Sequence, residues 1–232
     1  MKFSGTILTV LVISALAVGG AVAQPKLEIP DNGFEFGYIP QNSSLKHYYW
    51  FKSVGSDTLV INEIKTGCSC VLVPLDSKVI APGDSMRVGI SWNVGRRLGR
   101  IGRYPYIFTN AGGDPLQVLL EGNAVQTTNE LHPVAFSPFK FEVSAVGENL
   151  NDEMRFKVKN DSDARISITR ISPAPVECEV ELPESVGGNS EATGAVKVRP
   201  EFIDKEFECS ITVELDDKEK TRITVPIRRK LY

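Results

Sequence analysis

Histidine is scarce in this chain of 232 residues: only His47 and His132 are present. The sequence also lacks a nucleophile motif, a glycine-rich phosphate loop and a helix carrying paired metal ligands. The acidic pairs Asp161/Asp163 and Asp216-Asp217 fall in turn-like stretches, where aspartate is expected for backbone reasons. These absences argue against an enzyme and against a bound cofactor. There is no excess of positive charge. The formal net charge is −3, which removes the electrostatic case for nucleic acid. After the first two dozen residues no apolar run is long enough to span a bilayer. Helical periodicity is nearly absent from the same point onward.

What is present begins with an amino-terminal leader pattern. Met1-Lys2 is positively charged, Ile7–Val18 is a short apolar run, and Ala21-Val22-Ala23 has the small-x-small form of a cleavage site. This layout predicts a secretory signal peptide over residues 1–23, cut before Gln24. The remaining chain is then expected to be exported, periplasmic or extracellular, with no membrane span after cleavage. Roughly 209 residues remain, enough for one large or two small domains.

Short runs of Val, Ile, Phe, Tyr and Thr recur between Gly, Pro, Asn and Asp. They predict strands over Leu45–Lys52, Asp57–Ile64, Ser85–Trp92, Tyr104–Thr109 and Leu116–Glu121. A second set follows over Glu153–Lys159, Arg165–Ile171, Ala192–Val198, Phe207–Leu215 and Thr221–Ile227. The two sets repeat one another weakly. Phe51-Lys52, a turn and Leu59-Val60-Ile61 are followed by Cys70. Phe156-Lys157, a turn and Ile166-Ser167-Ile168 are followed by Cys178. An offset of about one hundred residues is the size of one immunoglobulin-like sandwich. The expectation is an all-β chain of two tandem immunoglobulin-like domains, 24–125 and 126–232, joined by a short polar linker near Ala124–Leu131. Residues 24–126 carry ten Lys/Arg against nine Asp/Glu, and 127–232 carry fifteen against twenty, so the second half is the acidic one.

Four cysteines permit three pairings, and an oxidising compartment allows them. Period-two alternation puts Cys178 and Cys209 on the inward faces of their strands. A disulfide between them, the expected arrangement, would close a loop of about thirty residues, worth ~3–4 kcal/mol; two buried free thiols are the alternative. Cys68 and Cys70 flank Ser69. In a flat strand their Cα atoms would lie ~6.6 Å apart, so a bend is needed to join them. The pair is either a structural one, closed or reduced, or a redox or soft-metal site. Two thiolates alone are too few ligands for zinc, and His47 is the one nearby histidine candidate.

Two further patterns are candidate binding surfaces. Arg96, Arg97, Arg100 and Arg103 form a basic cluster that is either a solvated loop or a seat for an anionic polymer, a lipid head group or an acidic protein face. In Tyr48-Tyr49-Trp50-Phe51, alternation sends Tyr49 and Phe51 to one face and Tyr48 and Trp50 to the other. One pair is core, and the other is either an exposed contact patch or a pair covered by the neighbouring domain.

The first half resembles the bacterial domain-of-unknown-function 1573 family. The resemblance is carried by Phe34-Glu35-Phe36-Gly37-Tyr38-Ile39-Pro40, Leu59-Val60-Ile61, Thr66-Gly67-Cys68-Ser69-Cys70, Ile80-Ala81-Pro82-Gly83-Asp84, Phe108-Thr109-Asn110 and Leu120-Glu121-Gly122-Asn123. It covers about residues 34–123. Ser69 stands where the family usually has Gly. The resemblance implies an immunoglobulin-like sandwich like those of major sperm protein and of cilium- and centrosome-associated modules. It therefore implies binding or scaffolding, and the leading expectation for the whole chain is a non-catalytic monomer that engages protein or envelope polymer. The alternative is a thiol-redox or soft-metal protein acting through Cys68 and Cys70.

Overall fold

The computed structural model describes residues 23–144 and 151–232. Apart from Ala23, the expected signal peptide lies outside the described residues. Those residues form twenty strands and two single 3-10 turns, so the chain is all-β. Phe207–Leu215 is a strand over the expected residues, and Ser44–Ser53, Ser85–Asn93 and Glu153–Asn160 lie within two residues of expectation. One stretch read as a loop is a strand. Gly99–Arg103 pairs antiparallel with Leu119–Val125, which draws part of the arginine cluster into a sheet edge.

Two hydrophobic cores divide the chain between Ala124 and Val125. The second lies between two sheets and the first is enclosed by three, and inward residues alternate with outward ones along their strands. In the first core, Leu45, Tyr49, Phe51, Val88, Ile90 and Trp92 come from the paired strands Ser44–Ser53 and Ser85–Asn93. They pack against Leu59 and Ile61 of a second sheet and against Phe36, Ile39 and Leu120 of a third. The second core sets Phe136, Phe156, Val158, Val196 and Val198 against Ile211, Val213, Ile223, Val225 and Ile227.

A single sheet runs through both cores. Seven of its eight strands lie in the order Ser185–Val186, Ile166–Arg170, Phe207–Leu215, Arg222–Arg229, Gly33–Pro40, Leu119–Val125 and Gly99–Arg103, and the eighth, Phe141–Glu142, pairs in parallel with Arg222–Arg229. The halves meet where Tyr38 pairs in parallel with Ile223. Gly37, at φ +66°, admits the close approach: a Cβ there would collide with the carbonyl group of Arg222. The Thr224 hydroxyl donates to the buried Phe36 carbonyl at 2.6 Å. Ser210 Oγ accepts from the Lys46 amide and donates to the Lys46 carbonyl, each at 3.0 Å.

The connecting segment is not a loose hinge. Glu130 Oε1 accepts from the Gln126 and Thr127 amides at 2.9 and 3.0 Å, and Leu131 is buried. A short turn capped by its own glutamate has its backbone donors satisfied and its exit anchored in the core.

Candidate functional site

The Cys68-Ser69-Cys70 segment follows the strand Leu59–Lys65 and is a turn, not a continuation of the strand. Gly67 takes φ +73°, a conformation that glycine adopts without strain. Thr66 Oγ1 donates to the Cys68 carbonyl at 2.8 Å, and the Asn93 amide donates to the Cys70 carbonyl at 2.8 Å. The bend draws the two Cα atoms to 5.2 Å, and the sulfurs are bonded. Arg103 Nε donates to Cys70 Sγ at 2.9 Å. The Arg103 guanidinium lies 5.8 Å from the centroid of the buried Trp92 ring. Among the described residues no third His, Cys, Asp or Glu joins the pair. His47 is stacked on Phe34 at 3.6 Å instead. In this bonded state neither sulfur is a free thiolate ligand.

The expected disulfide between Cys178 and Cys209 is not formed. The alternation argument places both side chains inward, and they do meet, but as free thiols with sulfurs 3.9 Å apart. They belong to strands of different sheets, Cys178–Glu181 and Phe207–Leu215, and the spacing of the layers leaves them in van der Waals contact. Contact with Cys178 and burial push the Cys209 thiol well above its ordinary pKa, which makes it a poor nucleophile.

The basic cluster disperses. Arg100 pairs with Glu121 at 2.8 Å and Glu35 at 3.2 Å. Arg103, three residues along the same strand, points the other way toward the disulfide, because an odd spacing changes faces. Arg96 and Arg97 are the exposed arginines of the four that pair with no side chain among the described residues. The separation into a carboxylate-paired residue and a sulfur-paired one follows from Gly99–Arg103 being a strand.

The aromatic run divides by face. Tyr49 and Phe51 are buried, whereas Trp50 is 51% exposed. The Tyr48 ring carries the Arg87 guanidinium at 3.8 Å. Beside Tyr48 and Trp50 opens a cleft of about 470 Å³, bordered by Phe34 and His47 of the first half and by Ile171 and Arg222 of the second. The contributions of residues 171 and 222 carried no signal in the sequence, since only the sheet that joins the halves brings them there. Burial and the nearby Arg87 charge lower the His47 pKa to about 4. Its folded state therefore binds fewer protons than the unfolded chain between about pH 6.5 and 4. Stability should fall by about 2 kcal/mol as pH drops through that window, and His47→Phe should flatten the fall. Urea unfolding of both proteins at pH 7 and 4.5 measures this; equal losses would exclude His47 as the cause. The second histidine, His132, is exposed and bonds Asp161 at 2.8 Å.

No curated protein matches the chain. Among solved structures, a protein of unknown function from Porphyromonas gingivalis W83 is similar at 10% identity and TM-score 0.34. That match covers 87% of this chain and 99% of the other. The ASH/PapD-like domain 7 of human CEP192 is similar at 10% identity and TM-score 0.37, covering 54% and 98%. A Caenorhabditis elegans MSP family member, WR4, is similar at 14% identity and TM-score 0.33, covering 42% and 98%. Residues 27–124, which hold the first core and the Cys68–Cys70 turn, match the model of the family described as Protein of unknown function (DUF1573), as the resemblance over residues 34–123 implied.

Proposed function

We propose that the chain is a non-catalytic, exported binding or scaffold module of the cell envelope, built of two tandem immunoglobulin-like sandwiches. Its partner is protein or envelope polymer. The observation that carries this reading is the Tyr48–Trp50 face. An indole half exposed on a rigid central strand, next to a cleft shared by both halves, is the kind of anchor that dominates interfaces. Placement on a strand supports preorganisation, because Tyr49 and Phe51 on the reverse side are locked in the core. The leader pattern and the Cys68–Cys70 disulfide both favour an oxidising compartment outside the cytoplasm.

The test is cosedimentation of the full chain with isolated envelopes. Trp50→Ala, at an exposed position, should keep the fold and weaken binding by about tenfold or more. Pretreating the envelopes with protease or with glycan-cleaving enzymes separates the two partner classes. Binding by Trp50→Ala equal to that of the parent would sink the assignment to this face.

A further inference from the structure

We propose that the Cys68–Cys70 disulfide is a polarised thiol-exchange centre. Cys68 is the sulfur attacked by an incoming dithiol, Cys70 is the sulfur released, and Arg103 holds the released thiolate. This does not depend on the binding role of the Trp50 face.

Three observations carry the proposal. The first is that the bond does little for the fold. It closes a loop of only three residues, so it removes little entropy from the unfolded chain. The turn is already fixed by Gly67, by the Thr66–Cys68 hydrogen bond and by the Asn93–Cys70 hydrogen bond. The second is the asymmetry of the two sulfurs. Arg103 Nε donates to Cys70 Sγ at 2.9 Å, and no donor contacts Cys68 Sγ among the described residues. A cation beside one sulfur lowers the basicity of the thiolate formed there, and the less basic sulfur leaves faster. The third is that the Arg103 charge is available and held in place. No carboxylate pairs with it among the described residues, in contrast to Arg100 of the same strand. Its Nη1 donates to the Gly102 carbonyl at 2.6 Å, and its guanidinium lies over the ring of the buried Trp92. Those contacts keep it in place when the disulfide opens. Both cysteines are half-buried and the intervening Ser69 is exposed, so a reagent can reach the pair, unlike the buried Cys178 and Cys209.

The exchange balances with a dithiol as reductant. One thiolate of the dithiol attacks Cys68 Sγ. The Cys68–Cys70 bond breaks, a mixed disulfide forms on Cys68, and Cys70 leaves as a thiolate against Arg103. The second thiolate of the dithiol then attacks its own sulfur in the mixed disulfide. Cys68 is released and takes a proton from water. The dithiol loses two electrons to become a disulfide, and the Cys68/Cys70 pair gains them. The reverse sequence reoxidises the pair. The partner is therefore a dithiol, either small or carried by an oxidoreductase.

Reaction of the full chain with reduced glutathione, followed by acid quench and peptide mass mapping, tests the direction of attack. Glutathione should be found on Cys68. Arg103→Gln should abolish that preference and slow exchange about tenfold, whereas Arg103→Lys, which keeps the cation, should retain the preference. Arg100→Gln serves as the control for loss of a nearby positive charge and should behave as the parent. After full reduction the parent should show thiolate absorbance near 240 nm at neutral pH, and Arg103→Gln should lose it. Glutathione on Cys70, or the same selectivity and absorbance in the parent, Arg103→Gln and Arg103→Lys, would overturn the proposal.

Discussion

Replacing Arg229 by methionine should destabilise the chain by about 3 kcal/mol, although the residue touches no candidate site. Its side chain is among the largest that are fully buried, at 1% exposure. Nη1 donates to the Asn151 and Val143 carbonyls at 2.8 and 3.1 Å, and Nε donates to the Ile203 carbonyl at 3.0 Å. Three separate segments are thus tied to one guanidinium, and no carboxylate pairs with it among the described residues. Methionine keeps much of the volume but takes the donor from the buried Val143 carbonyl and from the part-buried Asn151 and Ile203 carbonyls. The orphaned Val143 carbonyl costs about 1–3 kcal/mol and the two part-buried carbonyls less each, and relief from burying a charge offsets part of that sum. The net loss corresponds to a fall in Tm of about 6–12 °C for a chain of this size. The neighbouring Arg228 is the control. It faces outward and pairs with Glu208 at 3.5 Å, so Arg228→Met should stay within about 1 kcal/mol. Urea unfolding of the two variants measures the difference, and equal midpoints would contradict the assignment of Arg229 as a backbone clasp.

Gly37→Ala should cost about 2–5 kcal/mol and should also change the shape of the unfolding curve. Two effects add. Alanine in the left-handed region is strained by about 1–3 kcal/mol. Its Cβ would also collide with the Arg222 carbonyl, which is backbone and moves only if the whole strand moves. The strands that must part are the ones that join the two cores, at the Tyr38–Ile223 pair. The Thr224–Phe36 and Ser210–Lys46 hydrogen bonds would be stretched with them. Gly83→Ala separates the two effects. Gly83 takes φ +82°, and no atom lies within 4 Å of the place its Cβ would take, so only the conformational part applies there. If the joined sheet couples the cores, Gly37→Ala should turn one cooperative transition into two, with Gly83→Ala keeping one. Calorimetry distinguishes these outcomes, and a single transition at the Gly83→Ala midpoint would show that the close approach does not couple the cores.

The elements that were legible in the sequence share a local cause. Strand alternation is set within a few residues. It separated Tyr49 and Phe51 from Tyr48 and Trp50, and it turned Cys178 and Cys209 inward. The same local reasoning fails where a contact spans a long separation. That the two inward thiols would meet was within its reach, but their 3.9 Å spacing depends on how two sheets stack. The arginine cluster looked like one patch because its members are close in sequence. Pairing with Leu119–Val125 made Gly99–Arg103 a strand and sent Arg100 and Arg103 to opposite sides. Arg103 reaches Cys70 across thirty-three positions, and no spacing rule announces that contact.

The sequence by itself determined the class of the fold, many of the strands and the faces of those strands, since each depends on period-two patterning. Tertiary structure alone decided which cysteines are joined, which arginine stands beside a sulfur, and that strands 33–40 and 222–229 make one sheet of two cores. The physical reason is that register and layer spacing are collective properties. They minimise orphaned backbone groups and voids over the whole molecule, and no short window of residues contains them.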